Sequence, residues 1–369
     1  MRSTPHLLAL SLALSACAHD SGSRVPTGEA PGDPAFLAHF DRVDGLIQEG
    51  EPHFRRLWQI THGGENAEGY WSQAGDGLVL QRRAGEAACD RIFRIGPDGV
   101  LRQVSNGLGV TTCSYYVDGD RKVMFASTQA ELETCPPPTD YSQGYVWALH
   151  PEYDLWVHDL ATGAETRLTD TPRYDAEATV SPLGDRMVFT SLRSGDLELW
   201  TADLDGSHPF QVTHQLGYDG GAFFSNDGKR LIFRSTLFAP DGEVGDRAQY
   251  VELLRDNKVR PHSMELMIVD ADGTHRHQVT HLGGANFAPY FFPDDRRVIF
   301  STNFHDPQQR NFDLYAVDVP DGGGLERITT YDGFDSFPQF SPDGHWLVFA
   351  SNRGGTTPGE TNLFVAEWR

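Results

Sequence analysis

The sequence predicts an all-β fold, a six-bladed β-propeller, and two observations carry that prediction. A hairpin with a tight turn occurs in six copies, at a basic spacing of about 45 residues, which is typical of four-stranded propeller blades. The sixth copy has no fourth strand, whereas a strand of that type precedes the first copy. Because a single hairpin cannot bury its own apolar faces, the six copies are expected to pack into one ring.

The repeated hairpin is clearest at residues 334–352, which read FDSFPQFSPDGHWLVFASN. Ser341-Pro342-Asp343-Gly344 predicts a tight turn, because Pro presets φ and Asp-Gly tolerates the bend. The apolar stretches on either side predict two strands of a hairpin. Aligned on the last apolar residue of the second strand, the copies span residues 72–80, 117–125, 181–189, 225–233, 292–300 and 341–349.

A third strand follows each hairpin, and most copies continue with a short fourth strand that ends in Thr. Third strands are predicted at residues 91–95, 154–157, 197–200, 265–268, 313–316 and 362–365. Fourth strands are predicted at residues 166–169, 211–213, 278–280 and 327–329. The strand at 57–61 has the same Thr ending. It is therefore predicted to complete the last blade beside Phe364, which would cover an open sheet edge and close the ring.

The Ser-Pro-Asp-Gly hairpin, the Leu-Tyr third strand and the Arg-Leu-Thr fourth strand resemble the WD40-like (PD40) repeats of the TolB-type six-bladed propeller family. The resemblance covers residues 55–369, and blades one and two depart from it most in their turns. It implies a fold more than a function, because that family includes periplasmic scaffolds and propeller domains of peptidases. Those peptidases carry their nucleophile in a separate α/β-hydrolase domain, which is not expected in this chain.

Residues 1–17 are predicted to be a targeting segment, with Arg2 as its positive start and an apolar core too short to span a membrane permanently. Leu14-Ser15-Ala16-Cys17 resembles a bacterial lipobox, which predicts lipidation of Cys17. The alternative is an ordinary signal peptide cut near Ala18. Ala18 after the Cys favours the outer membrane by resemblance to Gram-negative sorting rules. We therefore expect a lipid-anchored protein on the periplasmic side of the outer membrane, or alternatively a soluble periplasmic or secreted one.

Residues 18–32 are rich in Ser, Gly and Pro and predict a flexible tether. Asp33-Pro34 is typical of a helix start, and apolar residues at three- and four-residue spacing predict an amphipathic helix over 33–50. This helix is expected to pack on the outside of the propeller at 55–369. Membrane-surface binding is the alternative, and the acidic residues of the segment disfavour it.

The charge of the chain excludes one class of partner. Lys and Arg number 30 against 52 Asp and Glu, which gives a formal net charge of −22. Because nucleic-acid binding needs a basic surface, no nucleic-acid partner is expected. A basic protein or peptide, or a divalent cation, fits this charge better. A monomer is expected.

Three cysteines, Cys89, Cys113 and Cys135, are predicted to lie on or near one face of the propeller. In an oxidising compartment one disulfide with one thiol left over is expected, and Cys89–Cys113 is the preferred pair. A metal site built from all three is the alternative. Their spacing is not that of a zinc motif.

Four insertions are predicted to connect second and third strands, at residues 128–153, 236–263, 303–311 and 352–361. They share one face of the ring, called here the decorated face. Long loops on a rigid scaffold commonly carry function, although these could simply cover the channel mouth. The candidate binding residues on them are Tyr141, Tyr145, Trp147, His305 and Arg310.

A column of polar residues recurs at one position of the first strands, broken only by Thr111 in blade two. Its members are Asn66, Asp175, Asp219, Asn286 and Asp335, and Glu68 and Glu177 follow two residues later. Since first strands line the axis of a propeller, these side chains are candidates to bind Ca²⁺ or a basic peptide end at the channel mouth. The alternative is that Asp and Asn cap their own loops, which does not account for the two Glu.

Catalytic motifs are absent from the sequence, which has no Gly-x-Ser-x-Gly elbow, His-Glu-x-x-His pair or phosphate loop. His62, His214 and His281 end fourth strands of different blades and are interpreted as loop caps. The predicted function is protein or peptide binding on the decorated face around the channel mouth, without a catalytic residue or a cofactor beyond the Ca²⁺ considered above. The alternative is a hydrolase or lyase acting on a polysaccharide or peptide, with Glu68, Glu177 and a bound cation.

Overall fold

The computed structural model describes residues 32–85, 89–142, 144–238 and 244–369. These residues form six antiparallel sheets arranged as the blades of a propeller, which confirms the predicted fold. The predicted targeting segment with Cys17, and the tether up to residue 31, lie outside the described residues. Within the described ranges, no helix has the length and apolarity needed to cross a membrane.

The strands of the blades follow the predicted repeat. The first strands are Glu65–Trp71, Thr111–Val117, Asp175–Val180, Asp219–Phe224, Asn286–Phe291 and Asp335–Phe340. The second strands are Leu78–Arg83, Lys122–Ser127, Arg186–Ser191, Arg230–Thr236, Arg297–Thr302 and Trp346–Ser351. The third strands are Arg91–Ile95, Asp154–Asp159, Glu198–Asp203, Met264–Asp270, Asp313–Asp318 and Asn362–Trp368. The fourth strands of blades one to five are Leu101–Gln103, Glu165–Arg167, Phe210–Gln211, His277–Gln278 and Glu326–Arg327.

The N-terminal strand Phe54–Gln59 completes blade six, as predicted. It runs antiparallel to Asn362–Trp368 with Gln59 opposite Phe364, and the Ile60 N–H donates to the Leu363 carbonyl at 2.8 Å. The first strands contact one another in an unbroken circle, including the pair from blades six and one. The ring is therefore closed by strand pairing, and the third strand of the last blade is not left as an open edge.

The Thr at the end of the fourth strand has a structural reason. In five blades its hydroxyl accepts a hydrogen bond, at 2.8–2.9 Å, from a backbone N–H of the neighbouring third strand. The five residues are Thr169, Thr213, Thr280, Thr329 and, for blade six, Thr61. The N-terminal strand thus reproduces the contact made inside the other blades.

Residues 33–50 do not form the single amphipathic helix that the sequence predicts. Two short 3-10 helices, Ala35–His39 and Asp44–Leu46, flank the two-residue strand Asp41–Arg42, which adds an outer strand to blade six by pairing with Phe54–Gln59. A continuous α-helix is excluded because the backbone of Asp41–Arg42 pairs with the strand Phe54–Gln59. Asp33 does not cap a helix either, because its carboxylate binds the Arg56 guanidinium at 2.6 Å.

The apolar residues of this segment nevertheless pack on the outside of the propeller, as predicted. Phe36 and Leu37 are fully buried in a cluster with Trp58 and Trp71. Leu46 and its apolar neighbours pack against a second cluster beneath blades five and six. The predicted three- and four-residue spacing therefore identified the buried residues, although the backbone that presents them is not an α-helix.

The two longest insertions join each other over the decorated face. Trp147–Ala148 from blade two pairs with Lys258–Val259 from blade four, and the helix Val244–Arg255 contacts that short sheet. The predicted Cys89–Cys113 disulfide is wrong, because Cys89 pairs with Cys135 and fastens the blade-two insertion to blade one. Cys113 is a free thiol, since its strand position faces the axial channel.

Candidate functional site

Each first strand is interrupted by a bulge at the same register position. One residue of each bulge has a left-handed backbone, with φ between 50° and 59°. These six residues, called here the bulge ring, are Glu68, Cys113, Glu177, Gly221, Ala288 and Phe337. Because left-handed backbone costs roughly 1–2 kcal/mol for a residue other than glycine, the surrounding sheets must hold five of these positions in place.

Aromatic residues that follow the bulge in four blades meet on the axis of the channel. They are Tyr70, Tyr115, Phe223 and Tyr290, whose neighbouring ring centroids lie 5.3–6.5 Å apart. Tyr70 belongs to blade one and Phe223 to blade four, which are opposite blades of the ring, yet their centroids are 5.6 Å apart. These aromatic side chains therefore close the axis at this level. The bulge ring, whose members other than Ala288 are partly exposed, lines the closed end of the channel on the decorated side, called here the inner pocket.

Glu177 is the most heavily bonded residue of the bulge ring. It accepts hydrogen bonds from Thr190 Oγ1 at 2.7 Å and from the Gly221 N–H at 2.9 Å. It also accepts bonds from the Tyr218 hydroxyl and the Arg234 guanidinium. Burial alone would raise the pKa of Glu177, but Arg234 and these hydrogen bonds outweigh burial and lower it. Glu177 is therefore an ionised carboxylate at neutral pH.

A glycine pair in blade four makes room for this network. A Cβ on Gly221 would lie 1.9 Å from Arg234 Nη1, and a Cβ on Gly220 would lie 2.5 Å from Glu177 Oε2. Only glycine at these two positions lets the guanidinium and the carboxylate meet across the blade boundary. The bulge ring thus carries polar side chains in blades one to three. In blade four it has no side chain, and the Arg234 guanidinium occupies that space.

Glu68 differs from Glu177 in its charge state. Burial is the main reason that the pKa of Glu68 is raised to about 7; a hydrogen bond with Cys113 opposes the shift, and the negative charge of Glu177 adds to it. Burial also raises the pKa of Cys113 well above its ordinary value, so its thiol stays protonated. The pocket therefore holds one fixed carboxylate and one carboxyl group that titrates near neutral pH.

An aromatic line connects this pocket with the outer rim of the decorated face. Trp147 lies 5.2 Å from the Arg234 guanidinium and perpendicular to Tyr218. Its Nε1–H donates to the Tyr145 hydroxyl at 3.2 Å, and Tyr145 stacks on Tyr141 at 5.6 Å. The two tyrosines are 63% and 54% exposed. Tyr141, Tyr145 and Trp147, called here the aromatic rim, thus contact the network of Glu177 through Arg234.

The structure does not bring the predicted polar column together at the channel mouth. Asp175, Asp219 and Asp335 are fully buried, and each binds an arginine that lies 5.0–5.1 Å over a phenylalanine of the second strand. The three arginines are Arg193, Arg276 and Arg353. Asn66 and Asn286 donate to backbone carbonyls at the blade boundaries. Each of these side chains is already bound through at least one polar atom, although Asp335 Oδ1 has no hydrogen-bond partner among the described residues. The column therefore does not form a ring of free ligands.

The predicted cation site is likewise not formed by this column. Across the described ranges, no group of three or more His, Cys, Asp or Glu side chains is arranged to hold a metal ion. The two remaining loop candidates lie elsewhere. His305 Nε2 is 2.9 Å from the Asp313 carboxylate at the start of a third strand, and Arg310 is exposed in its loop.

Sequence reasoning identified Glu68 and Glu177 but missed Arg234, Tyr218 and Thr190. A signal was present in the aligned repeats. The residue after the last apolar position of the second strand is Gln, Ala, Ser or Thr in most copies and Arg only at Arg234. The adjacent Gly220-Gly221 in a strand was the second signal, because consecutive glycines weaken a strand unless close approach requires them.

Comparisons with known proteins support the repeat assignment. Residues 238–358 match the family model described as the TolB beta propeller domain, PD40. A Tol-Pal system protein TolB from Francisella tularensis is 30% identical over 101 residues, which cover 27% of this chain and 22% of that protein. The match thus spans about a fifth of the curated relative. The resemblance to PD40 repeats predicted from the sequence is confirmed.

Solved structures agree in fold. TolB from Acinetobacter baumannii is 19% identical with a TM-score of 0.51, over 83% of this chain and 65% of that one. XC5397 from Xanthomonas campestris, described as a gluconolactonase, is 14% identical with a TM-score of 0.55, over 86% and 91%. At these identities the likeness shows the propeller fold alone.

Proposed function

We propose that this protein binds a protein or peptide on its decorated face, with the aromatic rim as the outer contact and the bulge ring as the inner pocket. The observation that carries the proposal is the connected line from exposed Tyr141 and Tyr145, through Trp147 and Arg234, to Glu177. Tyr, Trp and Arg are the residue types that dominate binding energy at protein interfaces. A stacked, exposed tyrosine pair beside the inner pocket is suited to docking an extended segment.

The chemistry of the pocket favours a basic side chain or an amino terminus. No described residue forms an ion pair with Glu68, whereas Arg234 forms one with Glu177. An incoming ammonium or guanidinium group would favour the ionised form of Glu68 and displace its proton. Binding of a basic segment is therefore expected to strengthen between about pH 6 and 8, as Glu68 titrates. A Glu68→Gln variant should lose this pH dependence.

The rim assignment is tested by affinity. The partner is captured from a Gram-negative envelope extract, identified by mass spectrometry, purified and titrated against wild type and a Tyr141→Ser/Tyr145→Ser variant. Loss of both anchors should weaken binding at least about tenfold. Leu183→Ser is the matched control, because Leu183 is 62% exposed in a turn on the opposite face. Equal affinity of the double variant and wild type would remove the rim from the proposed site.

We also propose that the protein acts in the cell envelope, anchored by a lipid on Cys17 to the periplasmic side of the outer membrane. The lipobox-like Leu14-Ser15-Ala16-Cys17 and the similarity to periplasm-associated propeller repeats support this. Wild type should incorporate labelled palmitate and fractionate with outer membranes, whereas Cys17→Ser should do neither. If wild type incorporated no palmitate and fractionated with the soluble periplasm, the alternative of an ordinary signal peptide cut near Ala18 would be favoured.

A second candidate function is hydrolysis or lysis of a polysaccharide or peptide in the same pocket. The observation that favours it is the pair of carboxyl groups in different protonation states, which is common in acid–base catalysis. Against it, Glu177 is occupied by four donors. Incubation with panels of oligosaccharides and peptides distinguishes the two candidate functions. Turnover by wild type that is abolished in both Glu68→Gln and Glu177→Gln would establish the enzyme. No turnover by wild type would favour the binding function.

A further inference from the structure

A second pocket lies on the decorated face of blade four, and it shares no residue with the aromatic rim or the bulge ring. Its volume is about 280 Å³. Thr236, Arg247 and Arg276 contribute polar groups to its wall, and Leu216, Leu237 and Phe238 contribute apolar surface. The size is that of a small site, and the combination of a few donors with apolar walls is typical of small-molecule pockets.

Thr236 offers this pocket an unused hydroxyl. The residue is 5% exposed, and its Oγ1 has no hydrogen-bond partner among the described residues. At the corresponding position of blade two, Thr128 Oγ1 accepts the Val110 N–H at 3.0 Å. In blade five Asn303 makes the corresponding bond to the Ala285 N–H. Blade four thus departs from the loop-capping role of this position, and a buried polar atom without a partner calls for an explanation.

Two arginines contribute positive charge to the pocket, and only one of them forms an ion pair with a described carboxylate. Arg276 is bound to Asp219, with Nη2 at 3.0 Å from Oδ1, although its buried Nε has no partner among the described residues. Arg247, in the first turns of the helix Val244–Arg255, lies 5.6 Å over Phe238 and makes no ion pair with any described residue. Arg247 lines the pocket and is paired with no carboxylate of the described residues, so its charge is available to an anionic ligand.

The pocket also coincides with a break in the pattern of the blades. In blades three and six the arginine that binds the column aspartate comes two residues after the serine of the second strand, as Arg193 and Arg353. In blade four that position is Leu237, and Arg276 reaches the aspartate from beside the fourth strand. Leu237 therefore gives an apolar wall where the sister blades have a guanidinium.

We propose that this blade-four pocket binds the carboxylate of a small organic anion that carries a short apolar group. Arg247 forms the ion pair, the Thr236 hydroxyl donates a hydrogen bond, and Leu216, Leu237 and Phe238 enclose the apolar group. The planar guanidinium matches a carboxylate in two-point geometry. The same chemistry occurs in a free organic acid and in the last residue of a peptide with a free carboxyl terminus.

Calorimetric titration with N-acetyl-leucine tests the site, and N-acetyl-leucinamide is the uncharged probe of equal shape. Wild type should bind the acid saturably and the amide at least tenfold more weakly. Arg247→Gln should weaken acid binding at least tenfold, and Thr236→Val should weaken it severalfold. Arg255→Gln is the matched control, because it removes an exposed charge from the same helix and should bind as wild type does.

Two further probes distinguish the sources of the ligand. Hexanoate represents a free acid, and a leucine-ending tetrapeptide with a free carboxyl terminus represents a protein tail. Tighter binding of the tetrapeptide than of hexanoate identifies a peptide end, and the reverse order identifies a metabolite-like acid. Equal binding of acid and amide, unchanged affinity in Arg247→Gln, or no saturable binding by wild type would each overturn the proposal. None of these outcomes involves the aromatic rim, so the fate of the proposed protein-binding function is decided separately.

Discussion

The two halves of the bulge ring have the same backbone and different chemistry. Blades one to three carry Glu68, Cys113 and Glu177, whereas blades four to six carry Gly221, Ala288 and Phe337, all with φ between 50° and 59°. Since the left-handed conformation also occurs where the side chain is apolar or absent, it is a structural feature of every blade and does not by itself indicate a functional site. Local strain often accumulates at functional sites, but here the side chains of one half, and not the strain, identify the candidate site.

The largest expected effect comes from filling the gap in blade four. Gly221→Ala places a Cβ in the space of the Arg234 guanidinium, so Arg234 must leave and Glu177 loses its cation while still buried. We expect a loss of about 3–5 kcal/mol in the free energy of unfolding, measured by urea denaturation. Gly119→Ala is the control, because Gly119 also has positive φ but open space around it. It should lose only about 1–2 kcal/mol; equal losses would mean that the ion pair contributes nothing.

The next effect concerns Glu68 in the polar half. Its pKa is about 7 in the folded protein against an ordinary value of 4.5. Between these pH values the folded state binds more protons than the unfolded state, so stability should fall as the pH rises from about 4.5 to 7. The expected loss is about 2–3 kcal/mol.

The measurement compares unfolding free energies of wild type and Glu68→Gln at pH 5 and pH 8. The variant should show a smaller loss between the two pH values and should be the more stable protein at pH 8. Glu252→Gln, at an exposed position of the insertion helix, should keep the behaviour of wild type. An identical pH dependence in wild type and Glu68→Gln would contradict the burial of a titrating carboxyl group.

The smallest effect is expected in the apolar half. Ala288→Gly relieves left-handed backbone but removes a buried methyl group, and these contributions are of similar size, about 1 kcal/mol each. The unfolding free energy should therefore change by less than about 1 kcal/mol. If Ala288→Gly lost as much unfolding free energy as Gly221→Ala, the two halves of the bulge ring would be equally sensitive to substitution. That result would contradict the proposed difference between them.

Much of the candidate site could be predicted because the blades repeat. The aligned copies placed Glu68 and Glu177 at one register position, and the same alignment identified the insertions that carry Tyr141, Tyr145 and Trp147. Arg234 was missed because its partner lies in another blade, and no spacing along the chain measures a contact across a blade boundary. The disulfide was mispaired for a related reason: Cys113 lies nearer to Cys89 in sequence, but its side chain faces the channel.

The sequence by itself determined the number of blades, the closing strand and the face that carries the insertions, because these follow from a local hairpin pattern and its count. Tertiary structure alone decided which polar residues are free to act. Asp175, Asp219 and Asp335 resemble binding residues in the sequence, yet arginines brought to them by the folding of each blade neutralise them in the interior. A buried charge persists only with a partner, and the identity of that partner depends on distances that exist only after the ring has closed.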